Sequence, residues 1–235
     1  MSDNSDDEGT GVFAISEDLV PNREHKAAGV LTVDFDGLLE TGPLKLREDL
    51  TEGCGGMLWP AGIVLSRYLL RQDKDYMRHK TIVELGAGGG LVGLSIALGF
   101  ETDSPIHLTD QLPMLGLLKQ NIALNSLMSR VKASIYDWGN AVPSDLPQHP
   151  DILLAAECVY FEPAFPLLQQ TLRDLIGPNT VCYFCFKKRR RADLHFMKAI
   201  RKTFVVEDVA DDPEKPVWSR ENLFLYRITL KEQKV

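Results

Sequence analysis

Short apolar runs recur along the chain at 82–85, 105–110, 131–136, 151–156 and 180–186. Their length suits strands buried in a sheet, most clearly in the continuous run DILLAA at 151–156. Between them, helical periodicity predicts helices over 60–76, 91–98, 113–125, 163–175 and 192–202. Two more apolar stretches, 204–209 and 222–230, follow with no helix between them, so they should pair antiparallel. The expected fold is α/β, a sheet of alternating β/α units closed by a C-terminal hairpin.

Ahead of this alternation the rhythm changes to period two. Leu31, Val33 and Phe35 alternate with Thr32, Asp34 and Asp36, and Leu44 and Leu46 follow a Thr41-Gly42-Pro43 turn. That pattern predicts a β-hairpin laid against the main domain. The chain therefore divides into an acidic, disordered tail (1–12), an N-terminal extension with the hairpin (13–52) and a main domain (53–235). The tail resembles neither a secretory signal nor a transit peptide.

Composition narrows the class. With 235 residues, 44% hydrophobic and 25% charged, the chain can bury a full α/β core. A net charge of −7 argues against a protein that coats nucleic acid. No apolar run approaches the ~18–20 residues of a membrane span. Cys54, Cys158, Cys182 and Cys185 are too few for a disulfide framework. The Cys182/Cys185 pair lies in a strand-like run, which turns the two thiols to opposite faces. No metal site is expected, and a reducing compartment, the cytoplasm, fits best. With no heptad or sustained exposed apolar stripe, a monomer is expected.

Chemistry concentrates at TIVELGAGGGLVGLSIA, residues 81–97. A strand containing Glu84 runs into Gly86, Gly88, Gly90 and Gly93, and a helix follows. Such a turn offers bare backbone N–H groups and a positive helix end to a ligand, while glycine removes the Cβ that would block its approach. Asp110 lies about twenty residues on, at the end of the next strand. It is either the N-cap of the following helix or the acceptor for ribose hydroxyls, and the spacing favours the ribose. Trp59, just before Pro60 at a helix start, is a core aromatic or a wall for an adenosyl group. Asp137 and Trp138 form a capped turn or an adenine site. Ala156, Glu157 and Tyr160 stand beyond the carboxyl end of a central strand, where open α/β sheets bind ligands. Lys187, Lys188, Arg189, Arg190 and Arg191 are five consecutive cations in an acidic chain. They are a solvated helix start or a docking site for an acidic partner.

The five β/α units and closing hairpin resemble the Rossmann-like, seven-stranded class I methyltransferase fold. VELGAGGGLVGL resembles that family's cofactor loop, although Gly88, Gly90 and Gly93 also satisfy a nicotinamide-dinucleotide fingerprint. CGGMLWPAG and LLAAECVYFEPAFPLLQQTLRDL are similar to segments of the methyltransferase-like 21 group of protein-lysine methyltransferases. With FKKRRRADLHFMKAI added, the chain is similar to a fungal elongation factor methyltransferase branch. The likeness covers roughly residues 50–230. It implies S-adenosylmethionine as cofactor and a lysine of translation elongation factor 1-alpha as substrate. It also implies cofactor contacts from Trp59, Glu84, Gly86, Gly88, Asp110 and Trp138, and substrate-proximal positions at Glu157 and Tyr160. Glu157 departs from the family, which usually has aspartate there.

Other readings are a methyltransferase acting on RNA or a small molecule, a non-catalytic cofactor-binding module, and a nicotinamide-dependent oxidoreductase. The Asn-Pro-Pro-Tyr type of segment that stacks a flipped base is absent, because Glu157-Cys158-Val159-Tyr160 contains no proline. This lowers the nucleic-acid case. The oxidoreductase lacks a suitable proton donor and a sixth parallel strand.

Overall fold

The computed structural model describes residues 29–49 and 56–231. The acidic tail, the start of the extension and Cys54 lie outside the described residues. Strands β1 (Val30–Val33) and β2 (Leu44–Arg47) pair antiparallel as the expected hairpin, with Leu44 and Leu46 buried. The main domain alternates as α1 (Pro60–Leu70), β3 (Ile82–Leu85), α2 (Leu91–Gly99), β4 (Ile106–Asp110), α3 (Leu112–Leu124) and β5 (Val131–Ile135). Then come β6 (Ile152–Ala156), α4 (Phe165–Leu175), β7 (Val181–Lys187), α5 (Arg191–Thr203), β8 (Phe204–Asp208), α6 (Lys215–Trp218) and β9 (Leu223–Leu230).

The sheet has seven strands in the order β5-β4-β3-β6-β7-β9-β8. β3 pairs parallel with both β4 and β6, so chain order reverses at its carboxyl end. That reversal opens a crevice there. β9 runs antiparallel between β7 and β8. One apolar layer joins α1, α2 and α3 to the sheet and includes the hairpin's Leu44 and Leu46. The other layer, with Phe165, Leu168, Phe196 and Ile200, lies under α4 and α5. Cys182 belongs to the second layer and Cys185 to the first, opposite faces as the strand period requires.

Two expectations need correction. α1 ends at Leu70, not near 76. Asp73 accepts the Asp75 amide at 2.9 Å through its side chain, and its carbonyl takes the Tyr76 amide, a local turn that competes with the helical ladder. The connection from β8 to β9 is not helix-free: it carries the one-turn helix α6, started by Pro216. Asp212 organises it, accepting from the Glu214 amide at 2.9 Å, Trp218 Nε1 at 3.0 Å and Arg71 at 3.1 Å.

Candidate active site

The floor of the crevice is the turn from β3 into α2. Gly86, Gly88 and Gly90 have φ of +59°, +54° and +86°, the left-handed region that side chains resist. At Gly86 space is also short: a Cβ would lie 2.9 Å from Trp138 Cζ2. Gly93, in the first turn of α2, has ordinary φ but no room. A Cβ there would lie 2.1 Å from Leu108 Cδ2 and 2.7 Å from Glu84 Oε2, so glycine sets how closely helix and sheet pack.

Two acids hold this turn. Glu84 Oε2 accepts the Gly93 amide at 2.8 Å inside the core. Burial pushes its carboxyl up to about 8, opposed by the Gly93 bond and reinforced by the Asp110 charge. At neutral pH Glu84 is therefore largely protonated. Asp110 Oδ2 accepts the Gly88 amide and Oδ1 the Gln111 amide, each at 2.7 Å. Burial raises its carboxyl as well, the two backbone bonds pull it back, and Asp137 adds a smaller upward push. Asp110 is not the N-cap of the helix that follows: that position is Gln111, whose own amide is the one Asp110 accepts. A carboxylate has roughly four acceptor positions, so two remain for a ligand.

The opposite wall is built from side chains. Glu157, directly after β6, has φ of +58°, uncommon for a residue with a Cβ. Its amide donates to the Cys185 carbonyl at 2.9 Å, which anchors the strained position to the sheet. The side chain is buried, with Oε2 2.7 Å from Arg189 and Oε1 3.4 Å from the Ala61 amide in the first turn of α1. An anion at that helix end is favoured by the dipole. The Arg189 guanidinium also lies 5.3 Å above the Trp59 ring. Arg190 reaches the Tyr160 carbonyl and, at 3.2 Å, the buried Asp193.

These groups enclose a cavity of about 690 Å³. Trp59, Glu84, Gly86, Gly88, Asp110 and Asp137 line it, as do Trp138, Ala156, Glu157 and Tyr160. Gly90 stands behind the loop as the N-cap of α2. Of the basic run, Arg189 and Arg190 line the cavity, while Lys187 ends β7 and Arg191 begins α5 at the surface.

Sequence reasoning saw no chemistry in the hairpin, yet Arg47 and Glu48 line the same cavity. Asn121, buried on α3, explains how they arrive. Its Oδ1 accepts the Arg47 amide at 2.8 Å and its Nδ2 donates to the Gly89 carbonyl at 2.9 Å, tying hairpin to glycine turn. Asn125 repeats the clasp one turn on, accepting the Lys45 amide at 2.9 Å and donating to the Lys45 carbonyl at 2.7 Å. The available signal was Asn121 inside the helix and Asn125 at its C-cap, four apart and so on one face, because asparagine inside a helix is a poor helix former without another task.

The profile of the lysine methyltransferase family matches residues 38–203. The chain is 36% identical to protein-lysine N-methyltransferase EFM6 of Saccharomyces cerevisiae, over 94% of this chain and 99% of that one. It is 31% identical to mouse EEF1A lysine methyltransferase 3, over 77% and 74% of the respective chains. An O-methyltransferase family protein from Burkholderia thailandensis superposes with a TM-score of 0.55 at 12% identity, covering 74% of this chain and 56% of that one. That last likeness is one of fold.

Proposed function

The chain belongs to the lysine methyltransferase family, and from that premise we propose that it methylates a lysine of translation elongation factor 1-alpha with S-adenosylmethionine, as a cytoplasmic monomer. The observation that carries the reading is the pairing, in one cavity, of a backbone-lined glycine turn with the buried carboxylate of Glu157. A volume near 690 Å³ lies within the range of small-ligand sites. Gly86 adds no Cβ to the cavity lining, where one would crowd Trp138 at 2.9 Å, and Asp110 keeps acceptor positions, so the residues suit the cofactor. In this reading Gly86, Gly88 and Glu84 form the turn beneath it and Asp110 takes the ribose hydroxyls. Asp137 and Trp138 take the adenine, and Trp59 and Ala156 close the sides. The cofactor supplies a methyl group made electrophilic by its sulfonium.

The protein's own work is alignment, exclusion of water and handling of one proton. A lysine must react as the neutral amine, which at pH 7 costs about 4–5 kcal/mol at ~1.36 kcal/mol per pKa unit. Partial desolvation between Trp59 and Tyr160 lowers that cost. Glu157 orients the amine, or the water that takes its proton, as the N–C bond forms and the S–C bond breaks. The substrate is supported by the mouse relative, whose name carries EEF1A, and by the likeness of residues 186–200 to the fungal elongation factor branch. The surface cations of the basic run serve docking.

The test is transfer of a labelled methyl group in lysate, with mass spectrometry of the labelled band. Elongation factor 1-alpha is expected, and label in nuclease-sensitive material instead would move the enzyme to RNA. Glu157→Ala should slow transfer roughly hundredfold, the scale of a positioned acid–base group, with cofactor affinity unchanged. Full activity in that variant would remove Glu157 from the mechanism.

A further inference from the structure

The five cations of the basic run are not equivalent. The amides of Arg189 and Arg190 both donate to Asp193 Oδ2, at 2.8 and 2.9 Å, and Asp193 is fully buried. This fixes the turn between β7 and α5 and aims Arg189 inward. Its Nη1 lies 2.7 Å from Glu157 Oε2 and its guanidinium lies over Trp59. The Arg189 side chain keeps 26% exposure, against 6% for Glu157. The other carboxylate oxygen faces the Ala61 amide. A cation thus already holds the acid that the proposed reaction needs for the substrate amine. A second cation on that oxygen would stand within a few ångströms of the first, at considerable like-charge cost in a partly desolvated site.

We propose that Arg189 is a built-in occupant of the amine position: it holds Glu157 and the face of Trp59 until an incoming lysine displaces it. The inference rests on the reading that Glu157 receives the substrate amine. The chain has the means for release. The guanidinium is partly exposed on a long side chain, and Nη1 also donates to the Lys187 carbonyl at 3.3 Å, so it is not left without an acceptor when the contact with Glu157 breaks. Displacement favours substrates that present a lysine together with enough other contacts to offset the lost pair. Free amines and stray lysines are refused, so Arg189 acts as a selectivity gate.

The test is a calorimetric titration of the full-length protein with n-butylammonium chloride, with sodium chloride of equal ionic strength as the blank. Arg189→Gln should bind the amine at least tenfold more tightly than the parent. Arg189→Lys, which keeps a cation, should stay near the parent and serves as the folding control. The double variant Glu157→Gln/Arg189→Gln should lose the gain. Equal or weaker binding by Arg189→Gln would overturn the gate. Steady-state kinetics add an independent reading: the gate predicts a lower KM for the protein substrate, whereas a fall in kcat at unchanged KM would make Arg189 only a support for Glu157 and overturn it. If the parent transfers methyl to no protein, the functional reading fails, but the butylammonium titration still decides whether Arg189 occupies the position.

Discussion

The two walls of the crevice are made of different material. On the β3 side the polar groups are largely backbone, and two of the amides, Gly88 and Gly93, are held by the half-buried Asp110 and the buried Glu84. The chain reverses there through glycines with positive φ. On the β6 side the polar groups are side chains, and the chain turns through Glu157, which accepts a left-handed backbone that glycine would take without strain. A backbone wall is rigid and indifferent to side-chain fluctuation, which suits one invariant cofactor. A wall of long charged side chains can be rearranged, which suits a substrate that arrives on another macromolecule.

The contrast is broken most severely at Gly93. Gly93→Val puts branched carbon where a single Cβ already meets Leu108 at 2.1 Å, so a loss of roughly 3 kcal/mol or more is expected in urea unfolding. A near-normal midpoint would mean that helix and sheet do not set the turn.

Next comes the pH response of Glu84. Its folded pKa, about 8, lies above the unfolded value near 4.5, so the folded state holds the proton longer. Stability from this group is full below about 4.5 and falls as pH rises towards 8, by on the order of 4–5 kcal/mol at ~1.36 kcal/mol per unit. Glu84→Gln keeps an acceptor for Gly93 without the titration. Its stability relative to the parent should therefore grow between pH 5 and pH 8. A parallel pair of stability–pH curves would refute the buried proton.

Asn121→Ala removes the clasp between hairpin and glycine turn. It should cost about 1–3 kcal/mol, the usual penalty for buried polar groups left without partners. It should also weaken cofactor binding, measured by calorimetry, because the Gly89 carbonyl loses its donor. Asn125→Ala, in a more exposed setting, should cost only about 0.5–1.5 kcal/mol and leave cofactor binding alone. Equal effects of the two variants on cofactor binding would dissolve the distinction between a clasp that reaches the turn and one that does not.

The backbone-built wall was the legible one. Glycine spacing after an apolar run, and an acid about twenty residues later, are local patterns whose physical meaning survives in one dimension. The side-chain wall was half legible: Glu157, Tyr160 and Trp59 stood out by position, but the pairing of Glu157 with Arg189 spans 32 residues and its approach to Ala61 spans 96. The basic run read as a solvated helix start or, because it follows a strand's carboxyl end, as a docking site on the substrate face. Whether one of them turns inward depends on Asp193, four residues further along, being buried where it can take both amides.

By itself the sequence determined the α/β alternation, the closing antiparallel pair, the hairpin and the glycine turn, because hydrophobic period and backbone freedom are properties of neighbouring residues. Only the tertiary structure decided that β9 slips between β7 and β8, that α3 clasps the hairpin to the glycine turn, and that Arg189 covers Glu157. Those outcomes depend on which distant groups meet in a low-dielectric interior, where an unpaired charge or amide is too costly to leave alone.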